Sequence, residues 1–263
     1  MASVERRDRD GIATLTLSRP PINALDQPTL HELGAAVESV AEDPHVRVVV
    51  LASGIARVFC AGGDLKFWRQ FPREMARTVS RAGRDVFGRI EGLSPPTIAA
   101  IDGDVIGDGL ALILAADLRV ASETATFKVP EADYGFIPGW GIIEGLRRQV
   151  GSPAALEMLL TGVPIGAERA RTLGLVTEIV PPGQALRRAW ELGEALAHKS
   201  PRALAWSKRA VRGRPGVADR DRWEEDCFAE VWGGEDWREG IEALLARRPV
   251  AFDAPPATRG ASR

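Results

Sequence analysis

The feature that most constrains this 263-residue chain is a strand, a helix and a second strand, all predicted before residue 53. Residues 12–18 alternate apolar and hydroxyl side chains, which is typical of a half-buried strand. A helix is predicted from about Asp26, with a proline in its first turn, and Asp43 followed by proline ends it. Residues 46–52 are almost continuously apolar, as in a parallel strand that is buried on both faces. This order predicts an α/β fold.

The rest of the chain predicts further short units and then a helical end. Residues 54–65 and 103–109 are expected to be glycine-punctuated turns, and residues 66–92 an irregular helix. Further strands are predicted at 97–101, 117–121, 125–129 and 175–180, with a short buried helix at 110–116. Later helices are predicted at 201–212, 218–232 and 236–247, before a frayed tail. We therefore expect a core at 1–197 and a helical region at 198–263.

The amino-acid composition narrows the classes of function that this protein can have. The 34 basic and 36 acidic side chains give a net charge of −2, which provides no basic excess for nonspecific nucleic-acid binding. Two cysteines cannot build a disulfide framework, and the three histidines show no metal-ligand spacing. Because no apolar signal region or membrane-spanning run is present, we expect a cytoplasmic protein that contacts neither nucleic acid nor membrane.

Three ordered segments carry recognisable motifs. They are residues 58–66 (VFCAGGDLK), residues 96–117 with PTIAAIDG, IGDG and AAD, and residues 127–139 with FKVPE and GFIPG. Shorter matches follow at 160–162, 170–176 and 234–241. Over residues 10–252 the chain resembles the crotonase superfamily, the enoyl-CoA hydratase/isomerase family. The resemblance implies a crotonase-like spiral of repeated ββα-type units with a C-terminal helical region.

The resemblance also implies a chemistry. Members of the family bind a CoA thioester and stabilise the enolate that forms when a proton leaves or joins the acyl chain. By motif position the backbone N–H groups of Gly63 and Asp108 would hold the thioester oxygen. Glycine turns suit this role because no bulky side chain intervenes, and a helix start favours negative charge. Coenzyme A would enter as part of the substrate, with no permanently bound cofactor and no metal.

The family's CoA-binding loop maps onto residues 61–66. The residues expected around the CoA moiety and the acyl group are Ala24, Leu25, Ala61, Gly63, Asp64, Leu65, Lys66, Gly107, Ala111, Pro138, Gly139 and Trp140. A dinucleotide-binding loop is the rival interpretation of the glycines at 107–109. That motif would continue to a third glycine where Leu112 stands, so we reject a nicotinamide site.

The sequence departs from the hydratase pattern at an acid–base position. Hydratases of the family typically use two glutamates, and the second is retained as Glu131, whereas the first falls on Ala111. One glutamate suffices to shuttle a proton between two carbons. The resemblance therefore implies isomerase-type chemistry or a single-glutamate hydratase/lyase, as in feruloyl-CoA hydratase/lyase. Locally, Glu131 also fits a surface or helix-start carboxylate.

Three more residues near the motifs are unusual. Asp108 stands where the family usually has glycine, and we expect its side chain to cap the following helix; otherwise it stays protonated or acts on substrate. Trp140 replaces a small residue and either walls an acyl pocket or packs in the core. Cys60 has no histidine nearby in sequence, so we expect a packed thiol and not a nucleophile.

Two rival functions stay open at this point. A glutamate-directed water could hydrolyse the thioester, or the chain could bind acyl-CoA without catalysis. The helices after residue 198 resemble the family's trimerisation region, which implies a homotrimer or homohexamer. Their aromatic side chains, expected to pack an interface or the core, are Trp223, Phe228, Trp232 and Trp237.

Overall fold

The computed structural model describes residues 3–213 and 220–252, in which helices surround two β-sheets. The strands are β1 (Val4–Arg9), β2 (Ile12–Leu17), β3 (Val48–Ser53), β4 (Val58–Cys60), β5 (Thr97–Ile101), β6 (Asp104–Ile106), β7 (Leu118–Ser122), β8 (Thr126–Lys128), β9 (Ile165–Gly166) and β10 (Glu178–Val180). The α-helices are α1 (Gln27–Ala41), α2 (Leu65–Trp68), α3 (Ala76–Gly92), α4 (Gly109–Ala115), α5 (Ile142–Thr161), α6 (Ala167–Thr172), α7 (Ala185–Ala197), α8 (Pro201–Arg212), α9 (Arg220–Val231) and α10 (Glu235–Ala246).

The two sheets are mainly parallel, which confirms the predicted α/β class. The larger sheet has the order β1-β2-β3-β5-β7-β10, in which only the β1–β2 pair is antiparallel. The smaller sheet has the order β4-β6-β8-β9, with β4, β6 and β8 parallel to one another. From β3 to β8, consecutive strands alternate between the two sheets and advance along both of them, as expected for a spiral of repeated units.

The uninterrupted apolar run of β3 follows from its two covered faces. Val49 and Leu51 join the main core, while Val48 and Val50 pack in a second cluster with Ala189 of α7. Because side chains alternate between the faces of a strand, a strand with a core on each side has no place for polar residues. The prediction of a doubly buried strand is confirmed.

Helix α1 also follows the sequence prediction. The Asp26 carboxylate accepts a hydrogen bond from the Thr29 N–H at 2.8 Å and caps the helix. Its buried face includes Leu30, Leu33 and Val37, which recur at helical spacing. The helix ends at Ala41, just before the proline that cannot continue it.

Several short strands were not predicted. β4 lies inside the segment expected to be a loop at 54–65, and β6 inside the turn expected at 103–109, so those two expectations are wrong in part. Each has three residues, too few to show a periodic pattern beside glycines. β1 is a polar strand at the sheet edge, and only the last three residues of the strand predicted at 175–180 are extended.

The C-terminal helical region is joined to the core by a partly buried ion network. Lys208 and Arg212 of α8 reach Asp117, just before β7, at 2.7 and 2.8 Å. The Lys208 ammonium group also donates to the carbonyl oxygens of Leu93 and Pro95, at 2.7 Å each. These contacts hold α8 against the end of the larger sheet.

The three late helices are confirmed where the structure describes them. Two parts of the prediction lie outside the described residues: the first two residues of the helix predicted at 218–232, and the tail expected after residue 252. Among the residues that the structure describes, no helix combines the length and apolar character needed to cross a membrane.

Replacing Asp117 should destabilise the protein. Asp117→Asn leaves Lys208 and Arg212 without their counter-charge at a poorly exposed site, and removing one partner of a buried pair costs about 2–4 kcal/mol. Urea unfolding would measure the loss in the free energy of unfolding.

The matched control is Glu144→Gln, which breaks an exposed ion pair with Arg147. Exposed pairs contribute about 0–1 kcal/mol, so this variant should unfold close to the wild type. Equal losses in the two variants would contradict an anchoring role for Asp117.

Candidate active site

The candidate site lies at the carboxyl ends of three neighbouring parallel strands. β4 is followed by Gly62 and Gly63, β6 by Gly107 and Asp108, and β8 by Glu131. Loops at this edge of a parallel sheet come together in space, which is why α/β folds place ligands there. The structure therefore assembles the residues that the sequence motifs singled out.

The turns after β4 and β6 are in direct backbone contact. Gly62 has a φ of +84°, and a Cβ atom there would lie 2.7 Å from the Ile106 carbonyl oxygen and 2.8 Å from the Asp108 nitrogen. Only a residue without a side chain allows both this conformation and this approach. The approach brings the Asp108 amide next to the Gly62-Gly63 turn.

An isolated β-bridge holds Leu25 against the same turn. The Leu25 N–H donates to the Gly62 carbonyl at 2.7 Å, and the Asp64 N–H donates to the Leu25 carbonyl at 2.9 Å. In this bridge Gly63 contributes no N–H of its own, and its amide instead faces the Asp108 carboxyl group. Ala24 and Leu25 thus lie beside residues 61–66, as the sequence predicted.

Glu131 is a buried carboxyl group at the start of a 3₁₀ turn, Glu131–Tyr134, and only 4% of its surface is exposed. A Cβ atom on Gly107 would lie 2.7 Å from its Oε1, and its Oε2 is buried with no hydrogen-bond partner among the described residues. Burial, and secondarily the charge of Asp108, raises the pKa of Glu131 to about 7. The alternative interpretation of Glu131 as a surface carboxylate is therefore wrong, although the residue does stand at a helix start.

The Asp108 side chain points into the site and does not cap α4. It makes no capping hydrogen bond, so the expected helix cap is wrong. Its Oδ2 lies 3.0 Å from the Cβ position of Gly63, and its Oδ1 is buried without a hydrogen-bond partner in the described structure. Burial raises the pKa of Asp108 to about 6, although the amides of Gly63 and Gly139 partly offset the shift.

Trp140 packs in the core and also borders the glycine turn. Its Nε1 donates to the Val79 carbonyl at 2.8 Å, and its ring meets Trp68 edge-on at 5.8 Å. A Cβ atom on Gly83 of α3 would lie 2.2 Å from the indole, so this glycine admits the ring. The Cη2 atom of the indole lies 3.6 Å from the Cβ position of Gly63. Packing of Trp140 in the core is therefore confirmed, and its role as the wall of an acyl pocket stays a prediction.

The other predicted site residues differ in exposure. Ala111 is buried on α4, one helical turn after Asp108, and Pro138 is buried beside Gly139, whereas Leu65 and Lys66 are exposed at the start of α2. Ala111 supplies only a methyl group to the site.

Cys60 is a packed thiol, as predicted. Burial raises its pKa to about 12, and its Sγ donates to the Asn23 carbonyl at 3.2 Å. A thiol with such a pKa is not a nucleophile at neutral pH.

Sequence reasoning missed three residues that shape the loop at 61–66. Arg19 binds the carboxylates of Asp26 and Asp64 at 2.8 Å each, and so joins the segment after β2 to this loop. Trp68 donates from its Nε1 to the Leu25 carbonyl at 2.7 Å. The buried Asn23 side chain donates to one carbonyl oxygen of β2 and to one of β4. Only Trp68, close to the GGD motif, gave a sequence signal.

The fold and site define a crotonase-type acyl-CoA-processing enzyme. A solved enoyl-CoA hydratase from Bacillus anthracis matches the structure with a TM-score of 0.90 at 30% identity, covering 96% of this chain and all of that one. The family model described as enoyl-CoA hydratase/isomerase matches residues 7–255. The chain belongs to the enoyl-CoA hydratase/isomerase family.

Two curated relatives show the range of substrates named in the family. The 2,3-dehydroadipyl-CoA hydratase of Escherichia coli is 35% identical over 252 residues, which cover 95% of this chain and 97% of the relative. The crotonyl-CoA hydratase of Syntrophomonas wolfei is 33% identical over 244 residues, which cover 92% and 94%.

The raised pKa of Glu131 predicts a pH-dependent stability. A carboxyl group whose pKa rises from 4.5 to about 7 on folding destabilises the native state at pH values above this range. Glu131→Gln should therefore raise the free energy of unfolding at pH 8, on the order of 1–3 kcal/mol, and change it little near pH 4.5. Urea unfolding at both pH values measures the difference.

An exposed carboxyl group provides the control. Glu123→Gln should follow the wild type at both pH values. A Glu131→Gln protein whose stability gain is the same at pH 4.5 and pH 8 would contradict a buried, titrating Glu131.

Proposed function

We propose that this enzyme forms and reprotonates the enolate of an enoyl-CoA thioester, with Glu131 as the group that moves the proton. The observation that carries the proposal is the buried Oε2 of Glu131, which lacks a partner among the described residues while the pKa of the group lies near 7. A general base is most effective when its pKa is near the working pH. An otherwise unexplained buried carboxyl group at a ligand-binding sheet edge supports this role.

The amides of Gly63 and Asp108 would hold the thioester oxygen. Their turns are packed together through Gly62, and the second amide belongs to the start of α4. As a proton leaves the acyl chain, negative charge moves onto this oxygen, and fixed N–H donors stabilise it without reorganisation. Glu131 takes that proton, or one from water, and returns it to a carbon atom.

Hydration of the double bond is the first candidate reaction. The two curated relatives described above are named as hydratases, which favours addition of water. Double-bond isomerisation is the second candidate, and Ala111 favours it because a methyl group cannot hold or activate a water molecule. A panel of 2-enoyl, 3-enoyl and aryl acyl-CoA substrates separates the two, and also detects thioester hydrolysis or binding without turnover.

The CoA moiety would bind along residues 61–66, with Ala24 and Leu25 beside it. Leu65 and Lys66 are exposed there, so an ammonium group is available to a phosphate. The acyl group would extend past Gly107 and Ala111 toward Pro138, Gly139 and Trp140. Trp140 borders Gly63, and a flat ring at this position suits an unsaturated or aromatic acyl chain.

Residues 198–263 would form the oligomerisation region, and residues 1–197 the catalytic core. Large apolar side chains on α9, directly after it and on α10 are exposed: Phe228 and Trp232 at 58%, Leu244 at 72% and Leu245 at 79%. Exposed apolar patches of this kind mark protein interfaces. They support assembly into a homotrimer or homohexamer.

Glu131→Gln should abolish turnover and leave CoA binding nearly unchanged. Glutamine preserves size and polarity but cannot accept a proton, so kcat should fall about 10²–10⁴-fold. The substrate panel identifies the reaction, and steady-state kinetics with calorimetric CoA titration measure both quantities.

Asp133→Asn is a matched control on the same 3₁₀ turn, because Asp133 is exposed. Its kcat should stay at the wild-type level. If a folded Glu131→Gln protein kept most of its activity, a group other than Glu131 would be the one that transfers the proton.

Free CoA should protect residues 61–66 from hydrogen exchange. A ligand that covers the loop reduces its local opening, which hydrogen-exchange mass spectrometry reports segment by segment. Lys66→Gln should raise the Kd for CoA about 3–10-fold, the size of one exposed ionic contact.

Lys199→Gln changes an exposed lysine between α7 and α8 and should leave the Kd for CoA unchanged. Protection confined to the C-terminal helices would place the CoA site elsewhere.

A further inference from the structure

The side chain of Asp108 is a second buried carboxyl group at the site, and the roles given to Gly63 and Glu131 do not use it. Its Oδ2 lies at the glycine turn, 3.0 Å from the point where a Cβ atom on Gly63 would be. Its Oδ1 is buried and has no hydrogen-bond partner in the described part of the chain. A buried polar atom without a partner costs free energy, so it is expected to meet a ligand.

Electrostatics decides which form of this group the site can hold. Neither Asp108 nor Glu131 forms a salt bridge with a described basic side chain, and the charge of Asp108 raises the pKa of Glu131. When Glu131 takes a proton from the acyl chain, its negative charge passes to the thioester oxygen held at Gly63, beside the Asp108 carboxyl group. Like charges at such distances repel strongly where water is excluded. An ionised Asp108 would oppose formation of the enolate, so its carboxyl group must be neutral while the enolate is present.

Glu131 cannot be neutral throughout the reaction. It must be ionised before it can accept a proton, so only the carboxyl group of Asp108 can be neutral both before the transfer and while the enolate is present. A protonated carboxyl group carries one O–H donor, and an apolar site can keep it protonated so that it donates to an oxyanion. Because Asp108 lies at Gly63, the acceptor within its reach is the thioester oxygen.

We propose that the Asp108 carboxyl group is protonated when the thioester is bound and donates a hydrogen bond to the thioester oxygen. This role rests on the proposed function, since it requires a thioester at Gly63. The pair of Asp108 and Glu131 then works with one proton, which stays on Asp108 while Glu131 acts as the base. No bond to Asp108 forms or breaks, and its proton remains on it throughout.

The proposal predicts a bell-shaped pH dependence of kcat/KM. Activity falls on the acid side as Glu131 becomes protonated and on the alkaline side as Asp108 loses its proton, with both limits belonging to the coupled pair. The other titratable group that feels the charge of Asp108 is the Cys60 thiol, whose pKa of about 12 keeps it neutral throughout.

Two substitutions at Asp108 separate donation of a hydrogen bond from transfer of a proton. Asp108→Asn keeps an N–H donor at the same reach, so kcat/KM should stay within about ten-fold of the wild type, without the alkaline limit. Its acid limit should stay close to that of the wild type, because position 108 is neutral in both proteins while Glu131 gains or loses its proton. Asp108→Ala removes the donor, and kcat/KM should fall about 10²–10³-fold.

The kinetic outcomes are distinct. If Asp108→Asn were as inactive as Asp108→Ala, the carboxyl group would have to transfer its proton. This result would overturn the hydrogen-bond role. Wild-type kcat/KM and an unchanged pH profile in both variants would mean that the side chain has no role. Asp133→Asn, at an exposed position on the 3₁₀ turn, should keep the wild-type profile.

Binding gives a readout that does not depend on turnover. Titration of acetyl-CoA into the full protein at pH 7.5, in buffers of different ionisation enthalpy, counts the protons taken up. We expect uptake approaching about one proton per site for acetyl-CoA, and no such uptake for free CoA or in Asp108→Asn. Equal uptake in the wild type and Asp108→Asn would overturn the assignment.

Failure of the proposed function would look different. An enzyme that turns over no acyl-CoA, yet takes up a proton with acetyl-CoA through Asp108, would refute the catalytic proposal alone. Turnover that depends on Glu131 but is insensitive to Asp108 would refute the inference alone.

Discussion

The backbone contact between Gly62 and the turn after β6 is the constraint on which the candidate site depends. Because a Cβ atom at position 62 would overlap the Ile106 carbonyl and the Asp108 nitrogen, the turns after β4 and β6 meet only through glycine. The strand ends therefore lie close enough for the amides of Gly63 and Asp108 to neighbour each other. A site for an oxyanion needs this closeness before any side chain contributes.

Burial of two carboxyl groups without a described cation is the second defining property of the site. Desolvation raises the pKa of Glu131 to about 7 and that of Asp108 to about 6, and the pair is further coupled through the charge of Asp108. Such an arrangement opposes stability at neutral pH, since each charge would be better solvated in the unfolded chain. The doubly covered β3 and the apolar core around it supply the compensating free energy.

The aromatic surroundings give the site a rigid wall. Trp140 is held by a hydrogen bond to Val79, by an edge contact with Trp68 and by the space that Gly83 leaves on α3. Trp68 in turn donates to the Leu25 carbonyl, next to the Gly62-Gly63 turn. The aromatic side chains and the glycine turn are thus positioned by one connected set of contacts, so a change in α3 would reach the Gly62-Gly63 turn.

The sequence by itself determined the α/β class, most element positions and the motif residues at the site, because apolar periodicity and glycine turns are local signals. β5 follows its predicted bounds, and α1 begins at its predicted cap, whereas the three-residue strands β4 and β6 lacked enough residues to show a period. The direction of the Asp108 side chain was decided only by the tertiary structure. A helix start makes a capping aspartate the local expectation, but the amides of Gly63 and Gly139, which are distant in sequence, lie beside its carboxyl group. The burial of Glu131 was also decided by the tertiary structure, since this carboxyl group becomes buried only where three strand ends meet.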